Sequence, residues 1–496
     1  MVLIAGAGPV GLTMAMTLAR LGVDVQIIDR AAARTDKSKA LVIWPRTLEL
    51  LDIQGCAHAF VAAGMKGLGA RMLANGKELL HVHLDTARSA YNYALLIPQS
   101  ETERVLEDEL AKLGVRVRRQ VELKSFVQDA TSVAAIVAGP DGVGQKVRAD
   151  YLLGCDGAHS AVRHSLGVQF MGSTLPSDWV LGDLRIDGPL AQDELTICWT
   201  DHGILAVFPI VGGRFRVIAD VGKSPPEMGP PPTLEEIAQL LATRGPPGLT
   251  AHDPFWLSRF RINERKVADY RAGRVFLAGD AAHIHSPAGG QGMNTGMQDA
   301  FNLAWKLALV ASGRAKPALL DSYSPERSAI GDQVLRNAGR LTEIGITRNP
   351  VLQELRNIAA STLGHLAVVQ QRIVDQLTEV DLHYAESPLT LAPRGASRRP
   401  AGGERAEDVP LAQFAGARTR LHELLAAGKF VVLAVGAPEA SLPAAVGAVA
   451  VSAVAADNDR YEPGHLYLIR PDAYVAMSVG AADADTIIAE LRRIAA

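Results

Sequence analysis

Hydrophobic positions change their period several times along the chain, and each change marks an element. Val2–Ala5 is a short apolar run. Three glycines follow, then Leu12, Ala15, Met16 and Ala19 recur at helical spacing before Val23–Ile28 returns to a strand. This opening predicts a βαβ unit and so a parallel sheet. Tyr151–Cys155 and Val275–Ala278 read as strands buried on both faces, each ending in a Gly/Asp turn that leads into a helical pattern. From about 176 to 264 the character changes: Trp179–Ile186, Leu195–Thr200, Ile204–Ile210 and Arg214–Val221 are alternating or apolar runs separated by Gly, Asp and Pro, which predicts an antiparallel sheet inserted into the parallel domain. A long helix is predicted over Gln291–Ser312, with further helices to about Leu382. The stretch 386–410, with Pro388, Pro393 and Pro400, reads as a linker. Beyond it Leu421–Leu425 and Thr486–Ile494 read as helices, and Phe430–Val435 and Leu466–Ile469 as strands.

Length and composition narrow the classes. A chain of 496 residues exceeds one hydrophobic core, and 48% hydrophobic with 21% charged residues is a globular balance. A net charge of −3 provides no general attraction to nucleic acid or to an anionic membrane. The cysteines Cys56, Cys155 and Cys198 are widely spaced, without a C-x-x-C pair or a histidine cluster nearby, so neither a disulfide framework nor a metal centre is expected. The apolar stretch Val2–Leu18 lacks a preceding basic residue and carries glycine punctuation, unlike a signal peptide. With no long apolar span elsewhere, a cytoplasmic protein is expected.

Three motifs carry chemistry. Gly6-Ala7-Gly8-Pro9-Val10-Gly11 lies between strand and helix, where glycines allow a tight turn and let the backbone approach a pyrophosphate at a helix N-terminus. Asp29, at the end of the strand that follows, stands where a carboxylate accepts from both ribose hydroxyls and repels a 2′-phosphate. This motif alone does not separate FAD from NAD. The second, Gly154-Cys155-Asp156-Gly157-Ala158-His159-Ser160-Ala161-Val162-Arg163, starts at a strand end; its plain reading is Asp156 or Ser160 capping the next helix. The third is Gly279-Asp280-Ala281-Ala282-His283 followed by Pro287-Ala288-Gly289-Gly290-Gln291-Gly292-Met293-Asn294. An Asp at a strand end binds a polyol, and a glycine-rich turn with a helix N-terminus stabilises negative charge on a reduced flavin ring. An NAD dehydrogenase needs only the first motif. Three of them, on parallel strands spread between Gly6 and Asn294, suit one extended cofactor gripped along its length.

On these motifs the chain resembles the group A FAD-dependent aromatic hydroxylases, whose fold is that of p-hydroxybenzoate hydroxylase, and most closely the branch acting on phenols, polyketides and rifampicin. The resemblance covers residues 1 to about 345. It implies that Gly6–Gly11 holds the ADP part of FAD, that Asp156 serves both FAD and the nicotinamide reductant, and that Asp280 contacts the ribityl chain. Asp29-Arg30 replaces the family's Glu-Arg. Lys39 stands where an arginine usually meets the pyrophosphate, losing the bidentate fork. Arg46 and Gln99 match further residues of the pyrophosphate region, and the Gly290–Asn294 segment, through Gly292, Met293 and Asn294, matches the backbone that meets the flavin ring. The implied chemistry is reduction by NADPH or NADH, reaction with O₂ to a flavin C4a-hydroperoxide, and hydroxylation of an aromatic ring.

The implied fold is α/β: a Rossmann-like FAD-binding domain (1–175 and 265–345), an inserted antiparallel substrate sheet (176–264), a helical segment and linker (346–395), and a C-terminal domain (396–496) resembling thioredoxin but without cysteines and suited to packing or to forming a homodimer. Pro287 is expected beside the flavin. Trp179, Trp199, His202, Phe208 and Phe215 are candidate pocket walls, though aromatics in such strands are more often core residues; His202 is also a candidate base, though a histidine beside a turn glycine is more often simply solvated. Three rivals are a Baeyer–Villiger oxygenase, a flavin-dependent halogenase, whose W-x-W-x-I-P segment is absent, and a protein that binds FAD or a ligand without turnover.

Overall fold

The computed structural model describes residues 1–37, 39–223, 225, 227–347, 349–391, 400–412 and 419–496. The opening residues form the expected βαβ unit: strand Val2–Ala5, helix Pro9–Arg20 and strand Val25–Asp29. Pro9 starts the helix at the position where a missing N–H costs nothing. A six-stranded sheet is built around it, in the order Arg271–Ala272, Val275–Leu277, Tyr151–Gly154, Val2–Ala5, Val25–Asp29, Arg118–Arg119, all parallel except the first. Val2–Ala5 has its sequence neighbour Val25–Asp29 on one side and the sequence-distant strand Tyr151–Gly154 on the other. The order therefore reverses there, and a crevice opens at the carboxyl ends of the strands.

The inserted sheet is larger than its sequence pattern. It has eight strands in the order His283–Ile284, Thr250–Lys266, Met171–Asp187, Arg214–Lys223, Gly203–Ile210, Glu194–Thr200, Gly69–Ala74, Lys77–His83. The pairs are antiparallel except Glu194–Thr200 against Gly69–Ala74, which is parallel. One face, with Leu205, Val207, Phe215 and Val217, is covered by helix Leu234–Arg244. The other turns toward the crevice. At the far edge Lys266 and Arg265 pair with His283 and Ile284, so the sheet ends on the turn that carries Asp280.

Helix Gly292–Ala311 runs through the middle of the molecule and is buried along nearly its whole length. Helices Tyr323–Ile346, Pro350–Leu363 and Ala367–Leu377 follow. The expected boundary at 395/396 and the Pro393 part of the linker lie outside the described residues. The C-terminal strands form a four-stranded sheet, Ala450–Val454, Phe430–Val435, His465–Ile469, Val475–Gly480, parallel in its first pair and antiparallel in the others, with helix Ala484–Ile494 against it. It docks on the central helix: the Trp305 and Phe430 rings meet edge-on at 5.4 Å, and Leu309, Val432, Leu468 and Leu491 share one core.

All three cysteines are free and buried. Burial pushes the Cys56 and Cys198 thiols up to about 12 and that of Cys155 higher still. Among the described residues no helix is long and apolar enough to cross a membrane.

Candidate functional site

The crevice contains two connected hollows of about 270 and 630 Å³ that share Gly8, Arg30, Cys155, Asp156, Gly157 and His159. The smaller one is closed by Asp29 and by Val121–Leu123. Asp29 is fixed there because Ala7 N–H and Ala31 N–H donate to its two carboxylate oxygens at 2.6 and 2.7 Å, so the acid is locked to the glycine turn it follows in sequence. The larger hollow continues past Lys39, Gln99 and Asp280 to Pro287, Gly290, Gly292 and Met293, and its far wall is Phe208, Arg216 and Ile218 of the inserted sheet.

Most of the residues expected from sequence therefore meet along one groove. Gly6 and Gly11 form the floor of the first turn. Gly279 packs on Val10, leaving no room for a side chain between them. Asp156 caps helix Ala161–Ser165, its Oδ2 accepting from Ala161 N–H at 2.7 Å, while its Oδ1 is buried without a partner. Ser160 caps the same helix through Arg163 N–H at 2.9 Å. Gln99 accepts from Ala40 N–H at 3.3 Å and donates to Glu103 at 2.9 Å. Asn294 works through its side chain: it accepts from Trp44 N–H at 2.8 Å and donates to the carbonyls of Val42 and Gly290, clamping residues 42–44 to the glycine-rich loop.

Three sets of expected residues lie away from the groove. Arg46 does not line the groove. Its helix Pro45–Ile53 turns it toward the C-terminal domain, where it donates to Asp472 O at 2.6 Å, pairs with Glu49 at 3.0 Å and lies over the Tyr474 ring. His202 sits in the exposed turn between two sheet strands, away from the groove. Of the four aromatic walls only Phe208 lines the larger hollow. Strand alternation puts Phe215 on the opposite face, Trp179 stacks on Phe260, and Trp199 lies under Arg356.

Of the residues that tie the walls of the groove together, Arg216 and Asp299 carry no sequence signal, while Arg163 closes the second motif. Arg216 forms a bidentate pair with Asp183, both bonds 2.7 Å, and donates its third nitrogen to Lys39 O at 2.8 Å, tying the inserted sheet to the loop beside the groove. Arg163 donates to Ala158 O and Ala281 O, joining the second motif to the third. Asp299, fully buried on the central helix, accepts from Gly279 N–H at 2.9 Å, His283 Nε2 at 2.8 Å and Arg327 Nε at 2.6 Å. Although burial opposes its ionisation, Arg327 and His283 hold its carboxyl below the usual range.

His285 lines the larger hollow with its ring parallel to that of His283, and its Nε2 is buried without a partner. Burial first and the neighbouring His283 second push it down to about 4, so it is neutral at physiological pH. A histidine with a depressed value contributes stability that is complete above its ordinary value of 6.5 and is lost as pH falls toward 4. His285→Gln is therefore expected to flatten that part of the acid limb of a melting temperature against pH curve. Superimposable acid limbs for the two proteins would disprove it.

The groove fits an extended dinucleotide. It has a fixed acid, Asp29, at one end, open space over Gly8 and Gly157 where no atom lies within 4 Å of an added Cβ, an unpartnered Asp156 oxygen in the middle, and a helix N-terminus at Gly292 with a left-handed glycine, Gly290, before it. These features define an FAD-binding protein of the doubly wound type with a second sheet closing the reactive end.

The comparisons agree. Residues 1–338 match the family model described as FAD binding domain, and 399–496 match that described as aromatic-ring hydroxylase, C-terminal. A 6-methylpretetramide 4-monooxygenase of Streptomyces rimosus is 38% identical over 396 residues, 78% of this chain and 71% of the relative. The solved structure of an anhydrotetracycline hydroxylase from Streptomyces rimosus superposes with a TM-score of 0.82 at 32% identity, covering 99% of this chain and 98% of that one. A dialkyldecalin synthase of Streptomyces rugosporus is 33% identical over 96% of this chain and 95% of its own length. The chain belongs to the FAD-dependent aromatic-ring hydroxylase family. It is an FAD-dependent monooxygenase with NAD(P)H as reductant.

Proposed function

We propose that this enzyme hydroxylates a neutral or phenolic fused-ring aromatic of the polyketide type, with O₂ as the oxygen source. The carrying observation is the far wall of the larger hollow. Phe208 and Ile218 offer an apolar surface for a planar ring, and the cation beside them, Arg216, is already matched by Asp183. A wall whose positive charge is compensated favours an uncharged ring system over a small aromatic carboxylate. Bound FAD would supply electron transfer from NAD(P)H and activation of O₂. The chain's own part is to bind, orient and exclude water. We assign Asp29 to the ribose, Lys39 and Gln99 to the pyrophosphate region, Asp156 and Asp280 to the middle of the cofactor, and Pro287 with Gly290, Gly292 and Met293 to its ring. The C-terminal sheet order supports a thioredoxin-like domain used for packing. A homodimer in the cytoplasm completes the reading, its assembly to be tested by sedimentation.

The test is NADPH and NADH oxidation by FAD-loaded protein with phenols, naphthoquinones and tetracyclic aromatic polyketides. A fused-ring compound is expected to accelerate oxidation severalfold and to gain one oxygen as a hydroxyl. Ring expansion to an ester would instead mean Baeyer–Villiger insertion. Tight FAD binding with no compound accelerating oxidation would overturn this substrate assignment.

A further inference from the structure

The last three strands of the inserted sheet carry a second cluster, away from the cofactor groove. Glu194, Gly69 and His83 occupy one register row across them, and Arg71 and His81 lie opposite each other in a parallel row. By strand alternation these side chains share the face opposite Leu195, Leu80 and Val82, which are buried toward Leu41 and Trp44. Gly69 makes the cluster possible. A Cβ there would lie 2.5 Å from Val82 O, so the position takes no side chain, and Glu194 reaches across the gap. Its Oε1 meets His81 Nε2 at 2.8 Å, and the His81 and His83 rings lie 4.0 Å apart. One nitrogen from each histidine and one carboxylate oxygen fall within 4.8 Å of one another.

We propose that His81, His83 and Glu194 form a binding site for a divalent transition-metal ion of the zinc class. Two imidazoles and one carboxylate suit Zn²⁺, Co²⁺, Ni²⁺ or Cu²⁺ and not Mg²⁺ or Ca²⁺, which take oxygen ligands. Bond lengths of about 2.0–2.2 Å around a tetrahedral ion put ligand atoms roughly 3.3 Å apart, which these side chains reach by small rotations. His83 is exposed and His81 and Glu194 are partly so, leaving a fourth position open to water. Arg71 Nε donates to the other Glu194 oxygen at 2.6 Å and so orients the carboxylate without occupying Oε1. Its guanidinium is 46% exposed and so damped by water, but at this short range its positive charge still sets the affinity below that of a site without a neighbouring cation. The ion would staple the edge hairpin Gly69–His83 to the strand Glu194–Thr200, and the hairpin's other face supports Trp44, which Asn294 holds against the cofactor loop.

The experiment is titration calorimetry of chelator-treated, FAD-loaded protein with ZnCl₂, repeated on His81→Ala and Glu194→Gln. We expect one ion per chain, affinity weakened at least about tenfold in both variants, and wild-type flavin content in both, since neither side chain is in a core. Substituting Co²⁺ should give the visible bands of a four-coordinate ion beyond the flavin's absorption. No saturable Zn²⁺ binding by the wild type, or unchanged affinity in either variant, would overturn the proposal.

Discussion

Gly11→Ala is expected to purify without FAD. A Cβ at this position would stand 1.9 Å from Gly6 O and 3.0 Å from Gly6 C, and Gly6 cannot retreat because its own position lies against the Cys155 backbone. Both obstacles are main chain, so the turn itself must open, carrying the start of helix Pro9–Arg20 away from the groove. A loss of FAD affinity of at least about a hundredfold corresponds to roughly 3 kcal/mol, within reach of one displaced turn. Gly8→Ala is the control. Its Cβ would meet nothing within 4 Å, and its φ of −78° suits any residue, so the fold should be unaffected while the added methyl stands in the space over the groove. Flavin-to-protein absorbance ratio and melting temperature of the FAD-free proteins separate the two. Gly11→Ala should lower both and Gly8→Ala only the first. Full flavin content in Gly11→Ala would disprove the account of the turn.

Arg470→Met is expected to undock the C-terminal domain. Arg470 is completely buried and bonds Glu326 at 2.7 and 2.9 Å and Asp472 at 2.9 and 2.7 Å; Glu326 also accepts from Lys306 and Asn302, both at 2.7 Å. Removing the guanidinium leaves two buried carboxylates facing one lysine, a change of the kind that costs about 3–5 kcal/mol. The remaining charges cannot be hydrated without separating the central helix from the C-terminal sheet. We expect a lower first transition on thermal unfolding, earlier proteolysis after residue 400, and partial rescue by Arg470→Lys, which keeps the charge without the fork. A melting profile identical to wild type would show that the cluster contributes nothing net.

The groove was legible in the sequence because its constraints are local. The glycines of the first turn, Asp29 at the end of the next strand and the Gly-Asp turn at 279 are each written within a few residues of the backbone they shape. What escaped depends on distant partners. Thr250–Lys266 is a 17-residue strand hidden by charged and polar side chains that pair with its neighbours, as Arg261 does with Asp178 and Arg259 with Glu236. The hairpin Gly69–His83 joins the inserted sheet from a stretch far ahead of it in sequence. Lys306 and Glu326 carry no sequence sign of burial, yet both are fully buried in a cluster with Arg470 of the C-terminal domain. The resemblance points Arg46 at the pyrophosphate region, and no periodicity in its own helix tells that the face it occupies meets the C-terminal domain.

The burial of the three thiols bears on how such an enzyme ages. A flavoprotein that reduces O₂ sheds some hydrogen peroxide whenever turnover runs ahead of substrate, and peroxide attacks a thiolate or a thioether far more readily than a protonated thiol. With Cys56 and Cys198 pushed up to about 12 and Cys155 above that, the thiolate fraction at neutral pH is negligible. Two sulfurs border the larger hollow, Cys155 and Met293, and only the thioether is in a form that oxidises without first losing a proton. Self-inflicted damage in this hollow is therefore expected to fall on Met293, where sulfoxide would add a polar group to the wall proposed above for the flavin ring, and where methionine sulfoxide reductases could reverse it.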